Sequence, residues 1–210
     1  RIPSSRKSAY RAYLKDMAHY NFSAVKTGMK MFRSWKPDVI HAHFAVPAGA
    51  AAFTLSKMAG IPYLLTAHLG DIPGAVPEKT DNWFKWIYPL TPTIWKSAAR
   101  VVAVSEFTRN MAQRYYSVPI EVIPNGVELS ALPLRENKKA EDSIRIVFAG
   151  RFMEQKNPEH LIQALIHLKD LPWTCAMLGD GPLLSNIREQ VKQYGLADRF
   201  WMPGWVTPEH

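Results

Sequence analysis

From Pro37 onward, short apolar segments rich in β-branched residues alternate with stretches of helical periodicity, and this alternation leaves few architectures open. Strands separated by helices pair side by side as a parallel sheet with the helices on its faces, the α/β arrangement. Strands are expected at 38–44, 63–69, 100–105, 121–124, 144–150, 173–179 and 200–202. Helices fit between them at 47–59, 106–116, 158–168 and 182–194. The first is alanine-rich and stops at Gly60, with Pro62 opening the next strand. The last two carry Pro158 and Pro182 near the first turn, where a helix needs no N–H donor.

Between Glu128 and Ser143 the chain turns polar, charged and weakly periodic, which reads as a linker. The expected organisation is an N-terminal domain at 1–127, a linker at 128–142 and a second domain at 143–210. Three strands make a thin parallel domain with an open edge and an uncovered face. Position 1 is Arg, and Thr207, Pro208 and Glu209 carry the cap, proline and acid of a helix start. The expectation is that more chain belongs on each side and that both domains are partial.

With 47% hydrophobic residues over 210 positions, the chain can bury a sizeable core. No apolar run reaches the roughly 18 to 20 residues of a membrane-spanning helix, and no signal-peptide pattern opens the chain. Cys175 is the single cysteine, lies in an apolar stretch and reads as a core residue in a reducing compartment. A cytoplasmic location is therefore expected. The net charge of +8 is localised: residues 1–36 hold nine Lys/Arg and one acid, and the remainder is balanced. Bases there interleave with Tyr, Leu, Met, Phe and Trp. Such a helix suits a solvated face packed on its domain, an anionic membrane surface or a nucleic acid. No nucleic-acid motif accompanies it, so nucleic acid is not an expected partner.

The segment best suited to chemistry runs Phe148-Ala149-Gly150-Arg151-Phe152-Met153-Glu154-Gln155-Lys156-Asn157-Pro158. A strand enters a glycine, two bases stand five apart, and a helix follows. Gly150 is expected to let the backbone approach a ligand, while Arg151 and Lys156 converge on a diphosphate beside the N–H groups of the helix start. Charge-assisted hydrogen bonds contribute about 1.5 to 3 kcal/mol each, so two bases and backbone donors suffice to hold a nucleoside diphosphate. Leu178-Gly179-Asp180-Gly181-Pro182 adds a tight turn at the carboxyl edge of the same sheet, where open α/β sheets bind ligands. No Gly-x-Gly-x-x-Gly fingerprint occurs.

In the first half, His41-Ala42-His43 lies on a strand, so both imidazoles point to one face. Thr66-Ala67-His68-Leu69-Gly70-Asp71 ends the following strand. Three histidines and an aspartate suit either a metal site or a catalytic histidine with structural neighbours. A further ligand at a known spacing is missing, and no Asp-x-Asp occurs to hold a cation on a diphosphate, so no metal is assigned.

Taken in order, HAHF, TAHLGD, VVAVSEFTRN, VIPNGVEL, FAGRFMEQKNPEHLIQAL, LGDGP and LADRFWMPGWV resemble the retaining GT-B glycosyltransferases of family 4, over residues 37–210. The resemblance implies two Rossmann-like domains facing a cleft, and a hexosyltransferase that moves a sugar from a nucleotide diphosphate sugar to a hydroxyl with retention. It assigns Arg151 and Lys156 to the donor diphosphate in place of a metal. His68 falls to the sugar and acceptor, with Gly70 and Asp71 in its loop, and Gly179, Gly181 and Pro182 match the turn lining the nucleoside. Asn125 and Gly126 match the element where one domain hands over to the next. Ser105 and Glu106 match a strand-to-helix junction, for which capping is the expected role. His41 and His43 are expected to shape the strand and the neighbouring cleft.

The nucleotide sugar is a substrate, and no cofactor is expected beside it. The family's Glu-x7-Glu pair would lie beyond His210 and its glycine-rich loop before Arg1, so these 210 residues alone are expected to be inactive. Relatives commonly build exopolysaccharide, lipopolysaccharide or other glycolipids. The basic first segment suits a lipid-linked acceptor at the inner face of the membrane. The alternatives are a nucleotide-sugar epimerase on the same fold, a histidine-based metallohydrolase and an inactive nucleotide-binding scaffold.

Overall fold

The computed structural model describes residues 14–76, 84–128 and 143–207. The chain divides into two compact units, Arg1–Val127 and Glu128–His210. Much of the stretch read as a linker, the first 13 residues of the basic segment, and Pro208 to His210 lie outside the described residues.

The first unit opens with helix α1 (Leu14–Met31), followed by strand β1 (Ile40–His43) and helix α2 (Ala50–Ala59). Strand β2 (Tyr63–Ala67) comes next, then short helices α3 (Phe84–Ile87) and α4 (Thr91–Ser97). Strand β3 (Arg100–Ala103), helix α5 (Glu106–Ala112) and strand β4 (Glu121–Val122) complete it. The strands pair in the order β1-β2-β3-β4, all parallel. β2 is interior to the sheet and correspondingly apolar: Tyr63, Leu65 and Ala67 are buried, and Trp95 from α4 stacks on Tyr116 at 4.1 Å in the same core. A strand covered on both faces has no solvent side, which is why the alternation of polar and apolar residues is absent here.

The second unit repeats the plan with β5 (Ile144–Ala149), α6 (Pro158–Ile166), β6 (Trp173–Leu178), α7 (Leu184–Gln193) and β7 (Phe200–Gly204). Its three strands are parallel in the order β5-β6-β7. Phe152, Ile162, Met177 and Ile187 form a closed core between the sheet and its two helices. Elsewhere on the sheet Val147 is 66% exposed and Trp201 61%, as a thin sheet covered on one side requires. Cys175 sits in the core, where burial pushes its thiol up to about 11, so it is an inert filler rather than a nucleophile.

Each expected strand is present; the first six are shorter than their patterns, and β7 runs two residues further, to Gly204. The largest difference is at 68–71, where the pattern carried the strand on to Leu69; Leu69–Asp71 is instead a 3-10 turn, closed by Asp71 N–H donating to the His68 carbonyl at 2.9 Å. The expected helix at 47–59 is regular only from Ala50, because Val46 keeps strand-like dihedrals inside the preceding turn. Its end is as read, with Gly60 left-handed at φ 69°. α4 was not foreseen. Pro89 and Pro92 look like breakers, yet both fall at first-turn positions, where proline is tolerated.

Candidate functional site

In the second unit, β5 ends at Ala149 and β6 at Leu178, and the loops after them are bonded face to face. Gly150 N–H donates to the Leu178 carbonyl at 2.9 Å, Phe152 N–H to the Asp180 carbonyl at 3.0 Å, and Leu183 N–H to the Phe152 carbonyl at 3.0 Å. So close an approach leaves no room for side chains. A Cβ on Gly179, whose φ is 131°, would stand 2.0 Å from the Gly150 carbonyl oxygen, and one on Gly181 would stand 2.4 Å from that of Phe152. At Gly150 no protein neighbour requires glycine: a Cβ there meets only the Phe148 ring at 3.6 Å and the Lys156 stem at 3.8 Å, ordinary contacts. The steric need lies one strand over, in the Gly179-Asp180-Gly181 turn.

The consequence is a rigid shelf. Phe152 and Met153 are buried as its anchors, while Arg151, Glu154 and Lys156 remain exposed. Lys156 closes a 3-10 turn, Asn157 is left-handed at φ 48°, and Pro158 starts α6. Among the described residues, neither Arg151 nor Lys156 makes an ion pair or a side-chain hydrogen bond. Two free bases at a helix start are matched to an anion. Pro182 is exposed in the turn ahead of α7, whose first turn begins only at Leu184.

In the first unit, the loops after β1 and β2 are clamped by one side chain. Asp71 is 3% exposed; its Oδ1 accepts from Ala45 N–H at 2.7 Å and its Oδ2 from His68 N–H at 2.8 Å. Burial pushes its carboxyl up to about 7, opposed by those backbone donors. With both oxygens engaged and almost no exposure, Asp71 holds the loop in place. Gly70 faces open space. His68 itself is partly exposed; burial, and then the like charge of His43, hold its imidazole below the ordinary range. His41 and His43 share a face of β1, with ring centroids 4.5 Å apart.

Ser105 caps α5, its Oγ accepting from Thr108 N–H at 3.1 Å, while Glu106 pairs with Arg109. Asn125 and Gly126 are exposed in the chain after β4. No group of three His, Cys, Asp or Glu among the described residues is arranged to hold a metal. Sequence reasoning passed over Phe44, which has φ 72° and stacks on His68 at 4.3 Å between centroids. A phenylalanine carries no signal for such a conformation. A separate groove of about 680 Å³ runs between α1 and α2, lined by Lys26, Lys30 and Arg33 together with Phe22, Met29 and Met58.

Two parallel α/β units, the second with a basic shelf after its first strand, define a protein of GT-B type. One neighbour of that fold is a TarM mutant of S. aureus, solved with Fondaparinux, alpha-GlcNAc-glycerol and UDP, at TM-score 0.65 and 15% identity over 87% of this chain and 36% of that one. A UDP-N-acetylglucosamine 2-epimerase shares it too, at TM-score 0.51 and 12% identity over 95% of this chain and 52% of that one. Fold alone therefore does not separate transferase from epimerase. The chain belongs to glycosyltransferase family 4, whose model matches residues 6–131, and the Glycosyl transferases group 1 model matches residues 134–210. Among curated relatives, a putative teichuronic acid biosynthesis glycosyltransferase of Bacillus subtilis (strain 168) is 33% identical over 87% of this chain and 51% of its own length. The chain spans about half the length of the curated relatives it matches.

Proposed function

We propose that this chain carries the donor-diphosphate site and the acceptor-side histidine of a retaining glycosyltransferase of cell-surface polysaccharide or glycolipid synthesis. The observation that carries the reading is the shelf at Gly150-Arg151, locked by Gly179 and Gly181, with Arg151 and Lys156 left unpaired beside the start of α6. The TarM complex with UDP and the teichuronic acid relative support the substrate class. As the bond from sugar to diphosphate breaks, negative charge develops on the diphosphate. The guanidinium of Arg151 and the ammonium of Lys156, held on a rigid shelf, stabilise that charge without a metal. His68, uncharged at neutral pH, orients the sugar or the acceptor hydroxyl. Asn125 and Gly126 serve the chain's passage between units rather than the reaction. The test is the anomeric configuration of the transferred sugar, read by proton NMR on the product of the protein as it occurs in the cell. Retention, undiminished by EDTA, is expected; inversion or loss of turnover on chelation contradicts the mechanism.

The same reading places the protein peripherally at the inner face of the cell membrane, next to a lipid-linked acceptor. No helix among the described residues is long and apolar enough to cross a membrane. Support comes from the groove between α1 and α2, where Lys26, Lys30 and Arg33 border Phe22, which is 70% exposed, and Met58, 58% exposed. Bases beside apolar side chains suit anionic headgroups above acyl chains, at about 1 kcal/mol per base. Replacing all three bases by Ala is expected to weaken co-sedimentation with anionic vesicles by about two orders of magnitude at low salt. Equal binding to neutral vesicles, or no binding at any salt, contradicts the membrane reading.

A further inference from the structure

The first unit contains a contact that the transfer reaction as outlined does not use. β1 and β2 pair in parallel with His43 opposite Thr66, so His68 rises just beyond the strand end beside His43. His43 Nδ1 lies 3.2 Å from His68 Nε2, and the two ring centroids are 5.5 Å apart. A hydrogen bond between imidazole nitrogens needs one N–H and one bare nitrogen, so the contact holds a single proton and breaks when both rings are charged. His41 is not available to compete, because its Nε2 bonds Thr66 Oγ1 at 2.8 Å.

The surroundings are built around this contact. Asp71 fixes the backbone of His68 and, through Ala45, the chain that follows β1. Phe44 lies between His43 and Ala45, and its φ of 72° and ψ of 134° are a costly conformation for a residue with a Cβ. That conformation sets its ring over His68, nearly parallel at 24°. His68 is thus held at its backbone by Asp71, on its ring face by Phe44 and at one ring nitrogen by His43. The titratable groups around it among the described residues are His43, His41 behind that ring, and Asp71.

We propose that His43 is a positioning residue for His68: it selects one tautomer of the His68 ring, fixes its orientation and keeps it uncharged while substrate binds. The lowered proton affinity of His68, caused by burial and then by His43, agrees with the geometry. The role of the pair rests on His68 being the acceptor-side group, but the pair itself can be tested apart from transfer or nucleotide binding.

The experiment follows the imidazole nitrogens of the full 210-residue chain by long-range proton–nitrogen NMR across pH, in the wild type, His43→Phe and His43→Asn. In the wild type His68 is expected in one dominant tautomer, titrating in more than one step because it is coupled to its neighbour. In both variants its midpoint is expected to rise toward the ordinary histidine value, in a single step, and in His43→Phe, which has no hydrogen-bonding group, the two tautomers are expected to mix. The amides of Ala45 and His68, clamped by Asp71, report whether the loops are intact; His43→Asn is the smaller change should phenylalanine disturb them. A His68 midpoint and tautomer unmoved in an intact variant overturn the proposal. Failure of nucleotide binding elsewhere in the chain would count against the donor site and leave this result standing.

Discussion

Gly179→Ala is expected to destabilise the second unit by about 4 kcal/mol and to remove nucleotide binding with it. The added Cβ would stand 2.0 Å from the Gly150 carbonyl oxygen, which is backbone and cannot swing aside as a side chain tip can. Its φ of 131° adds strain that only glycine escapes. To accommodate the methyl group, the loops after β5 and β6 must separate, breaking the hydrogen bonds from Gly150 to Leu178 and from Phe152 to Asp180. Those bonds are what hold Arg151 in place. A unit of this size has on the order of 5 to 10 kcal/mol to lose, so the change takes a large part of it. Gly150→Ala is the internal control: its Cβ would make ordinary contacts at 3.6 and 3.8 Å, and a change under about 1 kcal/mol is expected. Denaturant unfolding of the two variants decides the matter. Equal stability would show that the shelf is not set by the Gly179 turn.

This contrast also marks how far the sequence could be read. Both glycines were visible as candidates, since each ends a strand, but a strand ending in glycine looks alike whether the glycine is needed for φ, for space or for neither. What distinguishes them is the carbonyl oxygen of a residue 29 positions away, and local pattern carries no such information. The strands themselves were legible because a buried parallel strand is a short run of apolar residues with a turn at each end. β2 and β6 show this plainly. α4 was hidden by Pro92 in its first turn and Pro89 in the 3-10 turn before it, whose helix-breaking reading holds only away from the first turn.

Arg151 and Lys156 stand out in the sequence because they lie between a strand end and a helix start, and the structure leaves both exposed and unpaired among the described residues; their place on the donor diphosphate is the proposal. Asp71 shows the reverse. In sequence a Gly-Asp after a histidine suggests a carboxylate offered to a ligand, whereas its oxygens receive Ala45 and His68 N–H groups at 2.7 and 2.8 Å. One of those partners is 26 residues distant, so the clamp exists only once β1 and β2 have paired. Phe44 had no signal at all, because positive φ in a phenylalanine is imposed by the fold against its own preference.

The second large effect is expected at the two bases. Arg151→Ala removes a guanidinium that can grip two phosphate oxygens at once, and Lys156→Ala a mobile point charge. At about 1.5 to 3 kcal/mol for each charged hydrogen bond, either change should weaken nucleoside diphosphate binding by about 10- to 100-fold. Neither side chain has a protein partner among the described residues, so the fold should not notice, with unfolding free energies within about 0.5 kcal/mol of the wild type. Arg151→Lys is expected to recover only part of the loss, because the ammonium lacks the planar fork. Calorimetric titration of UDP, GDP, ADP and dTDP into the wild type and these variants is therefore the most direct measurement. One nucleoside diphosphate should bind the wild type, with or without EDTA, and lose affinity in both alanine variants. Binding left unchanged by Arg151→Ala and Lys156→Ala would contradict the donor-diphosphate site.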